Sequence, residues 1–89
     1  MKYFYVYIIY SESFDLYYIG HSSDLVDRII RHNSNRSKFT KSKGPWKLVI
    51  SYKCVSKPQD YQLELKLKAM KNPLKAIEYL KKLVQSTPA

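Results

Sequence analysis

Cysteine is almost missing from this sequence. Cys54 is the single one among 89 residues, so an internal disulfide and a cysteine-based zinc site are both excluded. A lone thiol suits a reducing cytoplasm, where such a residue is an ordinary strand component. No run of about 18 apolar residues occurs, which excludes a membrane-spanning helix. No small-residue cleavage site follows the tyrosine-rich start MKYFYVYIIY, so that stretch reads as a buried strand rather than a secretory leader. Acidic residues are scarce as well: 7 Asp and Glu face 16 Lys and Arg, for a net charge of +9. Such an excess attracts polyanions, because each phosphate neutralised releases condensed counterions. No helix joins a basic face to a broad aromatic one, so a membrane surface is not the expected partner. Repeats, low-complexity tracts and linkers are missing too, which predicts one domain over residues 1–85 and a tail over 86–89. With 45% apolar types the chain has the composition of a folded protein.

What is present falls into six elements. Tyr3 to Tyr10 is an unbroken β-prone run and predicts a strand. Leu16 to Gly20 predicts a second, joined to the first as a hairpin. A four-residue loop from Ser11 to Phe14 would pair Tyr10 with Asp15, Ile9 with Leu16 and Tyr7 with Tyr18. Opposed residues share a sheet face, so the hydroxyls of Tyr7 and Tyr18 would point the same way. Ser22, Ser23 or Asp24 can cap a helix running to about Asn33. Leu25, Val26, Ile29 and Ile30 form its apolar arc, and Arg28 and His32, four apart, lie together at one edge of that arc.

Asn33 to Gly44 has almost no apolar residue and carries Arg36, Lys38, Lys41 and Lys43, which predicts a basic, mobile loop. Trp46 to Val55 predicts a third strand in which Trp46, Leu48, Ile50 and Tyr52 alternate. Pro58 sits in the first turn of a helix whose stripe is Leu63, Leu67 and Met70, with Glu64 beside it. Asn72-Pro73 breaks the chain before a last helix with Ala76, Ile77, Leu80, Leu83 and Val84 on one face. The order is ββαβαα, an α+β arrangement of a small three-stranded antiparallel sheet flanked by helices.

Several of these residues form an ordered set. Tyr5-Val6-Tyr7 followed by Tyr18-Ile19-Gly20 resembles the paired motifs of the GIY-YIG nuclease superfamily, with tyrosine where the first motif commonly has glycine. Ser22-Ser23-Asp24-Leu25, then Arg28, then His32-Asn33 is similar to the first-helix signature of that family. Phe39-Thr40 and Gly44-Pro45-Trp46-Lys47-Leu48-Val49 resemble the third-strand region of its short, single-domain branch, the UPF0213 type. Glu64, followed by Lys66 and Lys68, resembles the metal-binding glutamate helix. The resemblance covers about residues 3 to 82, and its specificity lies in the ordered set rather than in any tripeptide. The last helix departs from it, since it lacks the asparagine that many catalytic members carry there.

The resemblance implies a chemistry. Tyr7 would be the general base or the group that positions water, and Tyr18 would hydrogen-bond that water or the phosphate. Arg28 would grip phosphate oxygens through its fork of donors. His32 would accept or relay a proton, and Glu64 would hold one divalent cation, Mg²⁺ being the expected ion. These five side chains would then border one concave surface.

Each residue also has a plainer reading. Strand tyrosines pack and leave their hydroxyls at the solvent edge. Gly20 can simply end a strand, and Arg28 and His32 can form a solvated helix edge. Glu64 and Lys68 are spaced as a surface ion pair. Phe39 and Trp46 can be core or can stack on bases. His21, next to the YIG motif, is assigned only to the cleft rim.

The functional expectation is a metal-dependent endonuclease of the cytoplasm, with a role in DNA repair. It would act on DNA without a small-molecule cofactor and would be structure-dependent or weakly sequence-selective. Arg36, Lys38, Lys41 and Lys43 would supply phosphate contacts. The alternatives are a non-catalytic nucleic-acid-binding module that keeps the fold and basic face, and a small interaction protein whose charge is incidental.

Overall fold

The computed structural model describes residues 3–35 and 38–86. Its elements are β1 (Phe4–Ser11), β2 (Leu16–Ser22), α1 (Leu25–Asn33), β3 (Trp46–Cys54), α2 (Lys57–Ala69) and α3 (Pro73–Ser86). The ββαβαα order and the antiparallel three-stranded sheet are those read from the sequence. The sheet order is β2-β1-β3. The unbroken apolar run of β1 has a physical basis in that order, because a central strand covered on both faces needs apolar side chains at every position. Val6 and Ile8 turn toward α2 and α3, and Tyr7 and Ile9 turn toward α1. Among the described residues no helix is long and apolar enough to cross a membrane.

The hairpin register differs from the expected one by two residues. Ser11 belongs to β1 and pairs with Leu16 on one side and Trp46 on the other, so the turn is Glu12 to Asp15. Ser11 is buried and its hydroxyl donates to the Lys43 carbonyl, which holds it in the sheet. Asp15 takes a left-handed backbone (φ 51°), which an aspartate tolerates, and its Oδ1 accepts from the Tyr10 hydroxyl at 2.8 Å. Tyr7 therefore faces Gly20, not Tyr18. A slip of two keeps side chains on their face where a slip of one reverses them, so Tyr7 and Tyr18 remain diagonal neighbours, with ring centroids 6.5 Å apart. Gly20 does not end its strand, since β2 continues to Ser22.

The alternation expected through β3 is broken. Ile9 pairs with Leu48 but Ile8 with Ile50, leaving Val49 as an extra residue. A bulge of this kind turns the following side chains to the other face. Trp46 thus packs with Tyr7 and Ile9, whereas Ile50, Tyr52 and Cys54 join Val6, Ile8, Leu67, Ala76 and Leu80. Burial, and after it Asp60, pushes the Cys54 thiol up to about 11, so it stays a protonated core residue.

Asp24 is the cap of α1; its side chain accepts from the Asp27 amide. The docked stripe of α1 is narrower than its apolar arc. Leu25 and Ile29 face the sheet, His32 is buried beside them, and Val26 and Ile30 stay exposed. Ser56 caps α2 and Pro58 lies in its first turn. Asn72 caps α3, its Oδ1 accepting from the Leu74 and Lys75 amides. Of α3's apolar face, Val84 is exposed. Ser86 is the last residue of α3, and the rest of the expected tail lies outside the described residues.

Candidate active site

The register places Tyr7 across Gly20, and the absence of a side chain there decides where the ring goes. A Cβ at residue 20 would lie 2.6 Å from the Tyr7 hydroxyl and 2.8 Å from its Cζ. Glycine lets the phenol lie over the β2 backbone and reach α1. There the Tyr7 hydroxyl sits 2.7 Å from His32 Nε2, and His32 Nδ1 sits 2.7 Å from Thr40 Oγ1. The His32 ring meets Tyr7 and Tyr18 edge-on, at centroid distances of 5.8 and 5.1 Å. His32 is 1% exposed. It is neither a solvated helix edge nor part of the cavity wall: it stands behind Tyr7, because the stripe of α1 that docks on the sheet includes it.

Thr40 is itself buried and its carbonyl accepts from Trp46 Nε1 at 3.2 Å. Asn33 adds a clasp: its Oδ1 accepts from the Trp46 amide and its Nδ2 donates to the Trp46 carbonyl. The described part of the basic loop is therefore anchored at Thr40 rather than loose as expected. Lys38 and Lys41 are exposed, Lys43 is half-buried, and Arg36 lies outside the described residues.

Tyr7, Tyr18, Arg28 and Glu64 line one cavity of about 480 Å³, together with His21, Lys57 and Asp60. Glu64 is only 7% exposed. Its Oε1 accepts from His21 Nδ1 at 2.6 Å, and its Oε2 is 3.2 Å from Lys68 Nζ. The pairing with Lys68 expected from spacing exists, but at a buried carboxylate rather than on an open surface. Asp60, one turn earlier on α2, is 1% exposed, and its Oδ1 has no hydrogen-bond partner among the described residues. Arg28 Nε is likewise buried and has no partner among the described residues.

These environments shift protonation. Burial holds the Tyr7 hydroxyl above the usual phenol value; Tyr18 and Glu64 push the same way and Arg28 opposes them. Burial, then the Arg28 charge, lowers His32 below the ordinary imidazole value. Asp60 is raised by burial, with His21 and Lys57 opposing and Glu64 assisting.

The His32 shift has a stability consequence. A folded-state value below the unfolded one means the unfolded chain binds the proton first, so the contribution is complete above about pH 6.5 and declines as the pH falls below that. Denaturant midpoints measured between pH 7.5 and 5.5 should fall with pH in the parent. The fall should be shallower in His32→Gln, which has no imidazole to titrate. Parallel profiles for the two proteins would contradict a neutral, buried His32.

Which cation could such a cavity hold? Among the described residues no group of three or more His, Cys, Asp or Glu is arranged around a metal position. That disfavours an all-protein cage. Magnesium asks for one or two carboxylates and keeps several waters. Glu64 with the free oxygen of Asp60 fits that demand, since the engaged oxygens of Glu64 each keep a second lone pair.

The sequence profile of the GIY-YIG catalytic domain matches residues 3–78. The chain belongs to the GIY-YIG family. This is a nuclease family whose members generally use a divalent metal ion and act on nucleic acid. The chain is 37% identical over 60 residues to a UPF0213 protein of Streptococcus pneumoniae serotype 4, a match that covers 66% of this chain and 61% of that relative's length. In structure it is similar to a UPF0213 protein of Bacillus halodurans solved by solution NMR, with a TM-score of 0.52 at 28% identity. That likeness covers 93% of this chain and 83% of the other. The chain is thus of the short UPF0213 type within the GIY-YIG family.

Asp60 and Thr40 escaped the sequence reading, and His21, which lines the cavity, was placed only at its rim. Asp60 had a legible signal, since it precedes Glu64 by four on the same helix face. His21 had only its adjacency to the YIG motif. Thr40 had none that identifies it as the partner of His32, because the contact spans a loop.

Proposed function

We propose that this chain is a metal-dependent endonuclease that hydrolyses phosphodiester bonds of DNA, structure-dependent or weakly sequence-selective. One observation carries the reading. A buried guanidinium nitrogen, Arg28 Nε, and a buried carboxylate oxygen, Asp60 Oδ1, both lack partners among the described residues, and Tyr7 and Tyr18 border the same cavity. Buried polar groups left unpaired cost about 1–3 kcal/mol each, so such a pair points to an absent ligand. A phosphate satisfies the donor and a divalent cation satisfies the acceptor.

Glu64 and Asp60 would hold the cation, Mg²⁺ by the carboxylate count. When bound it supplies charge stabilisation to the phosphate and the leaving oxygen. The chain's own residues do the rest. Arg28 binds and orients phosphate oxygens. When His32 Nδ1–H donates to Thr40, Nε2 is free to accept the Tyr7 proton. Tyr7 can then take a proton from the attacking water while passing its own to His32, so no free phenolate is needed in a site that disfavours one. Tyr18 positions the water or the phosphate. The new bond joins the water oxygen to phosphorus, the bond to the leaving oxygen breaks, and solvent protonates that oxygen.

Labelled branched, flapped, single-stranded and double-stranded DNA, incubated with magnesium or manganese and with chelator, tests the reading. At least one substrate should be cut with metal and none with chelator. A second reading, a nucleic-acid-binding module without hydrolysis, draws on the ion pairs that engage both Glu64 oxygens and on the lack of asparagine in α3. Salt-sensitive binding with no cleavage of any substrate would favour it.

In both readings the basic loop touches phosphates. Replacing Arg36, Lys38, Lys41 and Lys43 with alanine should reduce the slope of log K against log salt by up to about 3.6, since each phosphate left unneutralised removes about 0.9. Circular dichroism should stay unchanged. An unchanged slope would move the binding face elsewhere.

A further inference from the structure

A second cavity, of about 520 Å³, lies beside the first and is not used by the chemistry above. Leu16, Tyr17, Tyr18 and Ile19 all line it. Consecutive strand residues point to opposite faces, so a cavity touching all four runs along the strand edge. β2 is an edge strand in the β2-β1-β3 sheet. Its outward backbone donors and acceptors therefore face this space. The wall is mostly apolar, and Phe39, Lys68 and Lys71 also contribute to it. Phe39 is 67% exposed, an unfavourable placement for a phenyl ring that only packs. Its ring lies 5.6 Å from that of Tyr18, with Lys43 Nζ 5.2 Å from its centroid. The volume is within the range of about 300–1,000 Å³ typical of small-molecule sites.

We infer that this cavity takes an unpaired nucleobase of the strand whose phosphate enters the first cavity. Several lining residues match features of that ligand, although Asp15 also borders the cavity. Phe39 and Tyr18 offer aromatic faces for stacking, the β2 edge offers hydrogen bonds to a base edge, and Lys68 and Lys71 meet the flanking phosphates. Tyr18 lines both cavities, so the base and the phosphate belong to adjoining positions on one strand. A base inside a duplex has both its faces and its pairing edge occupied and cannot enter. The substrate class is therefore nucleic acid with unpaired nucleotides, such as a flap, bulge or overhang, next to the bond addressed. This inference rests on the nucleic-acid reading of the site and deepens it.

The test is binding in chelator, so that nothing is cut, with two flapped DNA duplexes. One flap carries bases, with 2-aminopurine at the junction; the other is abasic and has the same number of phosphates. The parent should bind the base-bearing flap about tenfold more tightly and quench the 2-aminopurine, as one stacked base warrants. In Phe39→Ala the preference should collapse toward one and the quench should be lost, while Phe39→Tyr should restore both. Equal affinity of the parent for the two flaps, or a full preference in Phe39→Ala, overturns the inference. Equal affinity together with cleavage would leave the hydrolytic reading standing without the base cavity. A preference without any cleavage would do the reverse, and binding to neither flap would remove both.

Discussion

Glu64→Gln should abolish magnesium-dependent cleavage and leave DNA affinity equal or slightly higher. The substitution keeps the length and helix preference of the side chain and removes its charge. A neutral amide is a poor ligand for a hard cation, so a site built on one or two carboxylates loses its main donor. DNA affinity should gain slightly, because one negative charge would leave the proposed phosphate-facing site. Some stability should also go. Glu64 is buried and engages both His21 and Lys68, so the loss should be about 1–2 kcal/mol, more than a surface pair is worth. Activity is therefore measured well below the melting midpoint of the variant. A second readout does not depend on turnover: magnesium should raise the melting temperature of the parent, as any ligand specific to the folded state does, and not that of the variant. Cleavage by Glu64→Gln at the parental rate would remove Glu64 from the site.

Tyr7→Phe deletes one oxygen and should lower the cleavage rate by about 10²- to 10⁴-fold, the usual worth of a positioned acid–base group. The loss should appear in kcat with little change in KM, since in the proposed mechanism Arg28 and the basic loop would still bind the substrate. Its stability cost is larger than that of an edge tyrosine. His32 Nε2 is fully buried and would be left facing a phenyl ring, which costs about 1–3 kcal/mol. The two effects separate the roles. A packing tyrosine predicts the stability loss alone, with cleavage intact under native conditions. A tyrosine that handles a proton predicts both. A variant that cuts as fast as the parent would take Tyr7 out of the chemistry and leave it as the support of His32.

How much of this was legible beforehand depended on the range over which each feature is decided. That β1 is a buried strand follows from its unbroken apolar run, and the assembled sheet then set it at the centre. Helix starts follow from local signals: a cap among Ser22, Ser23 and Asp24, Pro58 in a first turn, and the Asn72-Pro73 break. The neighbourhood of Arg28 and His32, and of Glu64 and Lys68, follows from the pitch of a helix alone. Strand parity placed Tyr7 and Tyr18 on one face even though their register slipped by two.

Tertiary structure decided the remainder. Ser11 entered the sheet because it pairs with Leu16 and Trp46 at once, and only three assembled strands provide both partners. Val49 became a bulge because Trp46 and Ile50 serve cores on opposite faces of the sheet, a demand that a single alternating strand does not reveal. Of the apolar arc of α1, the docked stripe took in His32 and left Val26 and Ile30 outside, since the sheet offers room for one stripe only. Thr40 met His32, and Glu64 met His21, across 8 and 43 residues of chain. Local periodicity and capping act within a few residues and determined the elements and their faces. Register, docking stripe and the partners of buried polar groups depend on surfaces that exist only after the chain has folded back on itself.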